Sequence, residues 1–157
     1  MILNSLGRYR NIGLLILRLG IGAMFVYHGA PKMLGGPAKW EGLGRAAGIF
    51  GLDFAPMFWG FMAAVSEFVG GFALILGLFS REFSALLVIT MIVAAGFHFN
   101  RGEGLFGASH AVELGIVFFS FIFIGPGKYS LDERLWPSRG AVRVAQEDCA
   151  PSDSISA

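Results

Sequence analysis

The sequence contains a single cysteine, Cys149, which lies near the C-terminal end. One thiol cannot form an internal disulfide, a CxxC redox motif or a thiolate metal cluster. Charged residues are also scarce, at 15% of the chain, and the formal net charge is only +1. This balance provides no basic patch for nucleic acid. Nucleic-acid binding is therefore excluded, and any redox chemistry must use groups other than paired thiols.

Hydrophobic residues, by contrast, make up 55% of the chain, and the mean hydropathy is +0.65. These values are typical of a membrane protein. Four apolar segments are each long enough to cross about 30 Å of hydrocarbon as a helix. They cover residues 11–34, 56–79, 82–100 and 108–125. The sequence therefore predicts an all-α membrane protein, a four-transmembrane-helix up-down bundle.

The distribution of lysine and arginine predicts the orientation of this bundle. One side carries most of the basic residues, namely Arg8, Arg10, Arg81, Lys128, Arg134, Arg139 and Arg143. The opposite side has only Lys39, Arg45 and Arg101 between its spans. By the positive-inside rule both termini are cytoplasmic. Residues 1–136 form the predicted membrane domain, and the polar residues 137–157 form a predicted disordered tail.

The longest connection, residues 35–55, is rich in glycine and admits two interpretations. Apolar residues recur in it at helical spacing, namely Trp40, Leu43, Ala47 and Phe50. This pattern predicts a short interfacial helix on the outer surface of the membrane. The many glycines favour a flexible loop instead.

Ionisable residues within the spans are the strongest indication of function, because charge inside a bilayer is costly unless it is paired or used. The set includes all three histidines and consists of Arg18, His28, Lys32, Glu67, His98, His110 and Glu113. Counting positions along the predicted helices puts five of these at the outer mouth of the bundle: His28, Lys32, His98, His110 and Glu113. Arg18 and Glu67 lie deeper by the same count, which predicts an Arg18–Glu67 ion pair. Such a pair either serves function or only docks two helices.

The residues alone leave three interpretations of the outer cluster open. Imidazole and carboxylate groups suit a metal such as zinc, iron or manganese, with His110 and Glu113 as one helix's contribution. The same groups can exchange protons with a quinone or another redox ligand near the interface. The third interpretation is a solvated vestibule of polar side chains that binds nothing.

Five separated segments resemble the DoxX family of small four-helix bacterial inner-membrane proteins. They are LRLGIGAMFVYHGAPKM (17–33), SEFVGGFALILGLFSR (66–81), His98, Glu113 with Leu114, and GPGKYSLDERL (125–135). The resemblance, which extends to the DoxD subunit of thiosulfate:quinone oxidoreductase, implies a multi-pass protein of the bacterial inner membrane. It also implies a redox-linked accessory or quinone-interacting subunit, with a quinone or a soluble redox enzyme as partner. The absence of a membrane cysteine pair argues against thiol exchange by the bundle itself.

In this interpretation Glu67 and Glu113 handle protons, His28 and His98 orient the ligand, and Lys32, with Arg18, fixes the local charge. The contrasting interpretation is a non-enzymatic membrane scaffold or small-solute passage with a structural polar cluster. Whether the chain is an enzyme on its own, and whether it forms an oligomer, stays open at this point.

Overall fold

A computed structural model describes residues 7–137 of the chain. Helix α1, Arg10–Met33, is followed by α2, Gly36–Gly44, and by a 3₁₀ helix, Arg45–Phe50. Three long helices come next, α3 (Pro56–Leu76), α4 (Ser80–Asn100) and α5 (Gly104–Ile124), and then a short α6 (Leu131–Leu135). The predicted tail lies outside the described residues, apart from Pro137.

Four of these helices, α1, α3, α4 and α5, are long and apolar enough to cross a membrane. α3, α4 and α5 have 21 residues each, which at 1.5 Å per residue gives about 31 Å, close to the hydrocarbon thickness. The predicted all-α fold with four spans is confirmed for the described residues. The shared core lies between the helices, where the Phe25 and Phe118 rings meet edge to face at 4.9 Å.

The bundle has two ends, which we call the Arg18 end and the Trp40 end. The Arg18 end contains Arg18, the turn after α3 at Gly77, and Pro126 after α5. The Trp40 end contains α2 with Trp40, the first turn of α3, and the connection from α4 to α5. α1 and α4 run from the first end to the second, and α3 and α5 run back.

Glycines bring α1 and α3 into backbone contact. A Cβ on Gly22 would lie 2.7 Å from the carbonyl oxygen of Gly71, and a Cβ on Gly29 would lie 2.6 Å from the amide nitrogen of Phe68. In a membrane, where lipid is as apolar as the side chains, such close approach provides the packing that joins two helices. These contacts fix how far α1 is shifted along α3.

The position of α1 along α3 sets the depth in the bundle of every residue in α1. Gly29 is level with Glu67 and Phe68, so α1 ends near the middle of α3 rather than at the Trp40 end. The first turns of α3 are covered by α2 instead, since Gly44 contacts Pro56 and Gly60. The predicted helix in the first connection is therefore present, and it is seated against α3.

The segment after α5 is fastened to the Arg18 end. Arg18 is 1% exposed, and its Nη1 and Nη2 donate to the carbonyls of Pro126 at 2.7 Å and Tyr129 at 2.8 Å. Asp132 accepts the backbone N–H groups of Phe79 and Ser80 at 2.7 and 2.9 Å, and so caps the N-terminus of α4. Ser130 Oγ accepts from the backbone N–H of Glu133 and so caps the start of α6.

We expect Gly29→Ala to destabilise the bundle by about 1–3 kcal/mol, since its methyl group would meet the backbone of Phe68. The matched control is Gly20→Ala on the same helix, where a Cβ meets nothing within 4 Å. The control should be neutral or up to about 1 kcal/mol more stable, because alanine favours the helix. The free energy of unfolding in mixed micelles measures both, and equal stability of the two variants would contradict the glycine contact.

Candidate functional site

Lys32 and Glu67 form an ion pair inside the bundle. Lys32 Nζ lies 2.6 Å from Glu67 Oε1 and 2.5 Å from Oε2. The Glu67 side chain is 5% exposed and the Lys32 side chain is 30% exposed. Glu67 lies about 11 residues, roughly 17 Å, from the first residue of α3. The pair therefore sits near mid-span, with the Glu67 side chain enclosed and the Lys32 side chain partly accessible.

The glycine contacts explain why these two side chains meet. Lys32 lies three residues after Gly29, and Glu67 lies four residues before Gly71, so each charged residue shares a helix face with a glycine of the contact. Because the two backbones touch there, the lysine side chain spans the short distance to the carboxylate. α1 ends just after Lys32, where a cation near the C-terminus is favoured by the helix dipole.

Polar and aromatic neighbours hold this region in place. Trp40 Nε1 donates to the carbonyl oxygen of Lys32 at 3.0 Å, and its ring packs on Phe61 at 4.9 Å. Ser66 Oγ, next to Glu67 in sequence, lies 2.7 Å from Thr90 Oγ1 on α4. The end of α1 is thus tied to α2, and the Glu67 turn of α3 is tied to α4.

The predicted Arg18–Glu67 ion pair is wrong. Glu67 bonds to Lys32, and Arg18 bonds to the carbonyls of Pro126 and Tyr129. The prediction counted depth along each helix as if all four spans were aligned, but the glycine contacts shift α1 towards the Arg18 end. Arg18 is consequently level with Gly77, just past α3, while Lys32 is the deep cation.

The other predicted site residues are not brought together. His98 Nδ1 lies 2.6 Å from Glu103 Oε2, at the connection from α4 to α5. His28 is exposed, with its ring 5.5 Å from that of Tyr27. His110 and Glu113 are exposed on α5. Within residues 7–137 no hydrogen bond or ion pair joins His28, His98, His110 and Glu113 to one another, and no three His, Cys, Asp or Glu side chains are grouped as metal ligands.

Glu103 is a partner that the sequence prediction missed. Its carboxylate accepts from His98 and lies 3.0 Å from Arg101 Nε. The hydrogen bond from His98 is the largest cause that lowers the pKa of Glu103, and the charges of His98 and Arg101 act in the same direction. The available signal was a carboxylate five residues after a histidine at the end of a helix. This cluster stabilises the turn at the Trp40 end.

Comparison with known proteins gives the family. The model of the DoxX family matches residues 13–100, which cover the chain from the first turn of α1 to the end of α4 and include both members of the Lys32–Glu67 pair. The chain belongs to the DoxX family. The resemblance carried by the sequence motifs is thereby confirmed, and the protein is a membrane protein in contact with the lipid bilayer.

Two relatives of this DoxX protein match a larger share of the chain than residues 13–100. An uncharacterised protein of Haemophilus influenzae is 34% identical over 140 residues, which cover 85% of this chain and 98% of the relative. An uncharacterised membrane protein of Mycobacterium tuberculosis is 30% identical over 138 residues, covering 76% of this chain and 78% of the relative. No solved structure matches the chain significantly.

A double-mutant cycle tests the ion pair of this DoxX protein. Lys32→Met should cost about 3–5 kcal/mol of unfolding free energy, because it leaves the Glu67 carboxylate buried without a counter-charge. Adding Glu67→Leu should recover most of that loss. Adding Glu67→Leu to Arg18→Met should recover nothing, and Lys39→Met on the exposed face of α2 should leave stability unchanged. Rescue of the Arg18 variant but not of the Lys32 variant would refute the assignment.

The His98–Glu103 hydrogen bond makes a prediction about pH. Because the pKa of Glu103 is lowered in the folded protein, its stabilising contribution is present above the unfolded-state pKa and is lost as the pH falls through the lower folded value. His98→Gln should raise the pKa of Glu103, as measured by NMR titration of the side-chain carboxyl carbon. An unchanged titration in that variant would show that the hydrogen bond does not hold in solution.

Proposed function

We propose that this DoxX protein is a redox-linked accessory subunit that binds the head group of a quinone from the bilayer at the Lys32–Glu67 pair. The observation that carries the proposal is the unequal exposure of the pair. The Glu67 side chain is enclosed, and the Lys32 side chain is partly accessible, near mid-span. A lipid-soluble ligand reaches such a position through the hydrocarbon.

The donor count of Lys32 fits a carbonyl ligand. An ammonium group has three N–H donors, and the two carboxylate oxygens of Glu67 account for two acceptors. The third donor is available to a quinone oxygen. His28 lies one helical turn before Lys32 on α1 and is also exposed, which supports a second polar contact on the same side.

In the proposed reaction the chain supplies protons and position, and a soluble redox partner supplies electrons. A quinone becomes a quinol by taking up two electrons and two protons. Lys32 donates a proton to the quinone oxygen as electrons arrive, and Glu67, in contact with the same nitrogen, relays its replacement from water. The proposal includes the orientation favoured by the basic residues, with both termini in the cytoplasm of a bacterial inner membrane.

One observation favours the contrasting function of a scaffold or small-solute passage. Lys32 and Glu67 neutralise each other, so the pair can join α1 to α3 without any ligand. The two proposals differ in what happens when both charges are removed together. A scaffold then keeps its function if the fold is kept, whereas a quinone site loses its donor.

Measuring quinone binding to the protein in lipid nanodiscs distinguishes the quinone-site proposal from the scaffold proposal. A short-chain ubiquinone and a short-chain menaquinone are titrated, and quenching of tryptophan fluorescence is followed, since Trp40 bonds to the Lys32 carbonyl. We expect saturable binding by the wild-type protein and at least a tenfold weaker Kd for Lys32→Met/Glu67→Leu, equivalent to about 1.4 kcal/mol. Lys39→Met is the matched control and should bind as the wild-type protein does.

Two outcomes would contradict the quinone proposal. One is the absence of saturable binding of either quinone by the wild-type protein. The other is an unchanged Kd in the folded double variant, which would leave the pair with a structural role and favour the scaffold.

A further inference from the structure

Glu113 is an ionisable residue whose side chain is exposed in the middle of a membrane-spanning helix. It is the tenth residue of the 21 in α5, and no hydrogen bond or ion pair to it is formed within residues 7–137. His110 lies one turn earlier and is exposed as well. An ionisable group at this depth is costly against lipid and is normally turned towards protein or water. The exposed side of α5 therefore needs a cover other than lipid.

The residues around Glu113 form a regular stripe along α5, defined here as the α5 stripe. Its members follow one another at spacings of 4, 3, 4, 3 and 4 residues, and they are Phe106, His110, Glu113, Val117, Ser120 and Ile124. None of the six is buried, and Phe106 is 95% exposed. Residues at alternating steps of three and four lie along one side of a helix, so a second helix packed on this side would contact all six.

Most of the core side of α5 points away from this stripe. Its buried residues are Ala108, Ala111, Phe118 and Phe121, and the core of the bundle accounts for this face. At 100° per residue, Ala108, Ala111 and Phe118 point more than 90° away from the mean direction of the stripe, and Phe121 lies about 60° from it. The stripe is therefore a separate face of α5, which the bundle covers only in part, at Val117 and Ser120.

We propose that the α5 stripe is the interface with a second copy of this chain in a twofold-symmetric dimer. Two copies inserted with the same topology have parallel α5 helices, and a twofold axis along the membrane normal sets each stripe against itself. His110 of each copy then lies diagonal to Glu113 of the other. Two reciprocal His–Glu pairs result, so each carboxylate gains a partner of complementary charge or hydrogen-bonding capacity.

Charge complementarity is what selects a second copy as the occupant. A histidine and a glutamate one turn apart are self-complementary under a twofold axis, so no other protein is needed to satisfy them. The dimer does not involve Lys32 or Glu67, and it is independent of the proposed quinone site.

Disulfide crosslinking in native membranes tests the interface. In a Cys149→Ser background, Val117→Cys lies on the stripe and should give a covalent dimer on mild oxidation. Ile89→Cys on α4 is the matched control, since Ile89 is an exposed apolar residue near mid-span on another helix. We expect at least tenfold faster crosslinking at position 117 than at position 89.

An exchange of the two polar residues tests the pairing itself. His110→Glu and Glu113→His should each weaken dimerisation in lipid nanodiscs or detergent at least tenfold, because each leaves like groups facing each other. The combined variant restores one His and one Glu per copy and should recover the wild-type dissociation constant within threefold. Both residues are exposed in the monomer, so the fold should be unaffected.

The proposal is overturned by any of three results. The wild-type protein is monomeric at every protein-to-lipid ratio; crosslinking at positions 117 and 89 proceeds equally; or Val117→Cys crosslinks to a different protein rather than to itself. Failure of quinone binding has no bearing on these measurements, so the two proposals stand or fall separately.

Discussion

Backbone contact between α1 and α3 is the constraint on which the rest of the structure depends. Gly22 and Gly29 on one helix meet Gly71 and Phe68 on the other at distances that leave no room for a Cβ atom. Close contact of this kind has one register, because a shift along the axis would drive larger side chains into the backbone. The register in turn decides which charges meet.

Two cations on α1 acquire different roles from this register. Lys32 is level with the middle of α3 and pairs with the enclosed carboxylate of Glu67. Arg18 is level with the turn after α3, where it binds the carbonyls of Pro126 and Tyr129. One helix therefore carries both a polar group near mid-span and an anchor for the C-terminal segment, and only the first of these is placed where a ligand from the bilayer could meet it.

Five of the predicted site residues lie in three separate environments rather than in one shared cavity. The Lys32–Glu67 pair lies inside, His98 with Glu103 lies at a connection, and His110 with Glu113 lies on the outer side of α5. The first two environments satisfy their charges within the chain, by an ion pair and by a local hydrogen bond. The third is satisfied by a second copy of the chain in the proposed dimer.

The sequence by itself determined the class of the protein, its four spans and the identity of the charged residues within them, because hydrophobic length and intramembrane charge are local properties. It also carried the family, through motifs at fixed spacing. Only the tertiary structure decided that Glu67 pairs with Lys32 and not with Arg18. Helix depth was the missing quantity, since counting residues along one helix cannot reveal how far that helix slides along its neighbour, and that distance is set by glycine contacts between residues far apart in sequence.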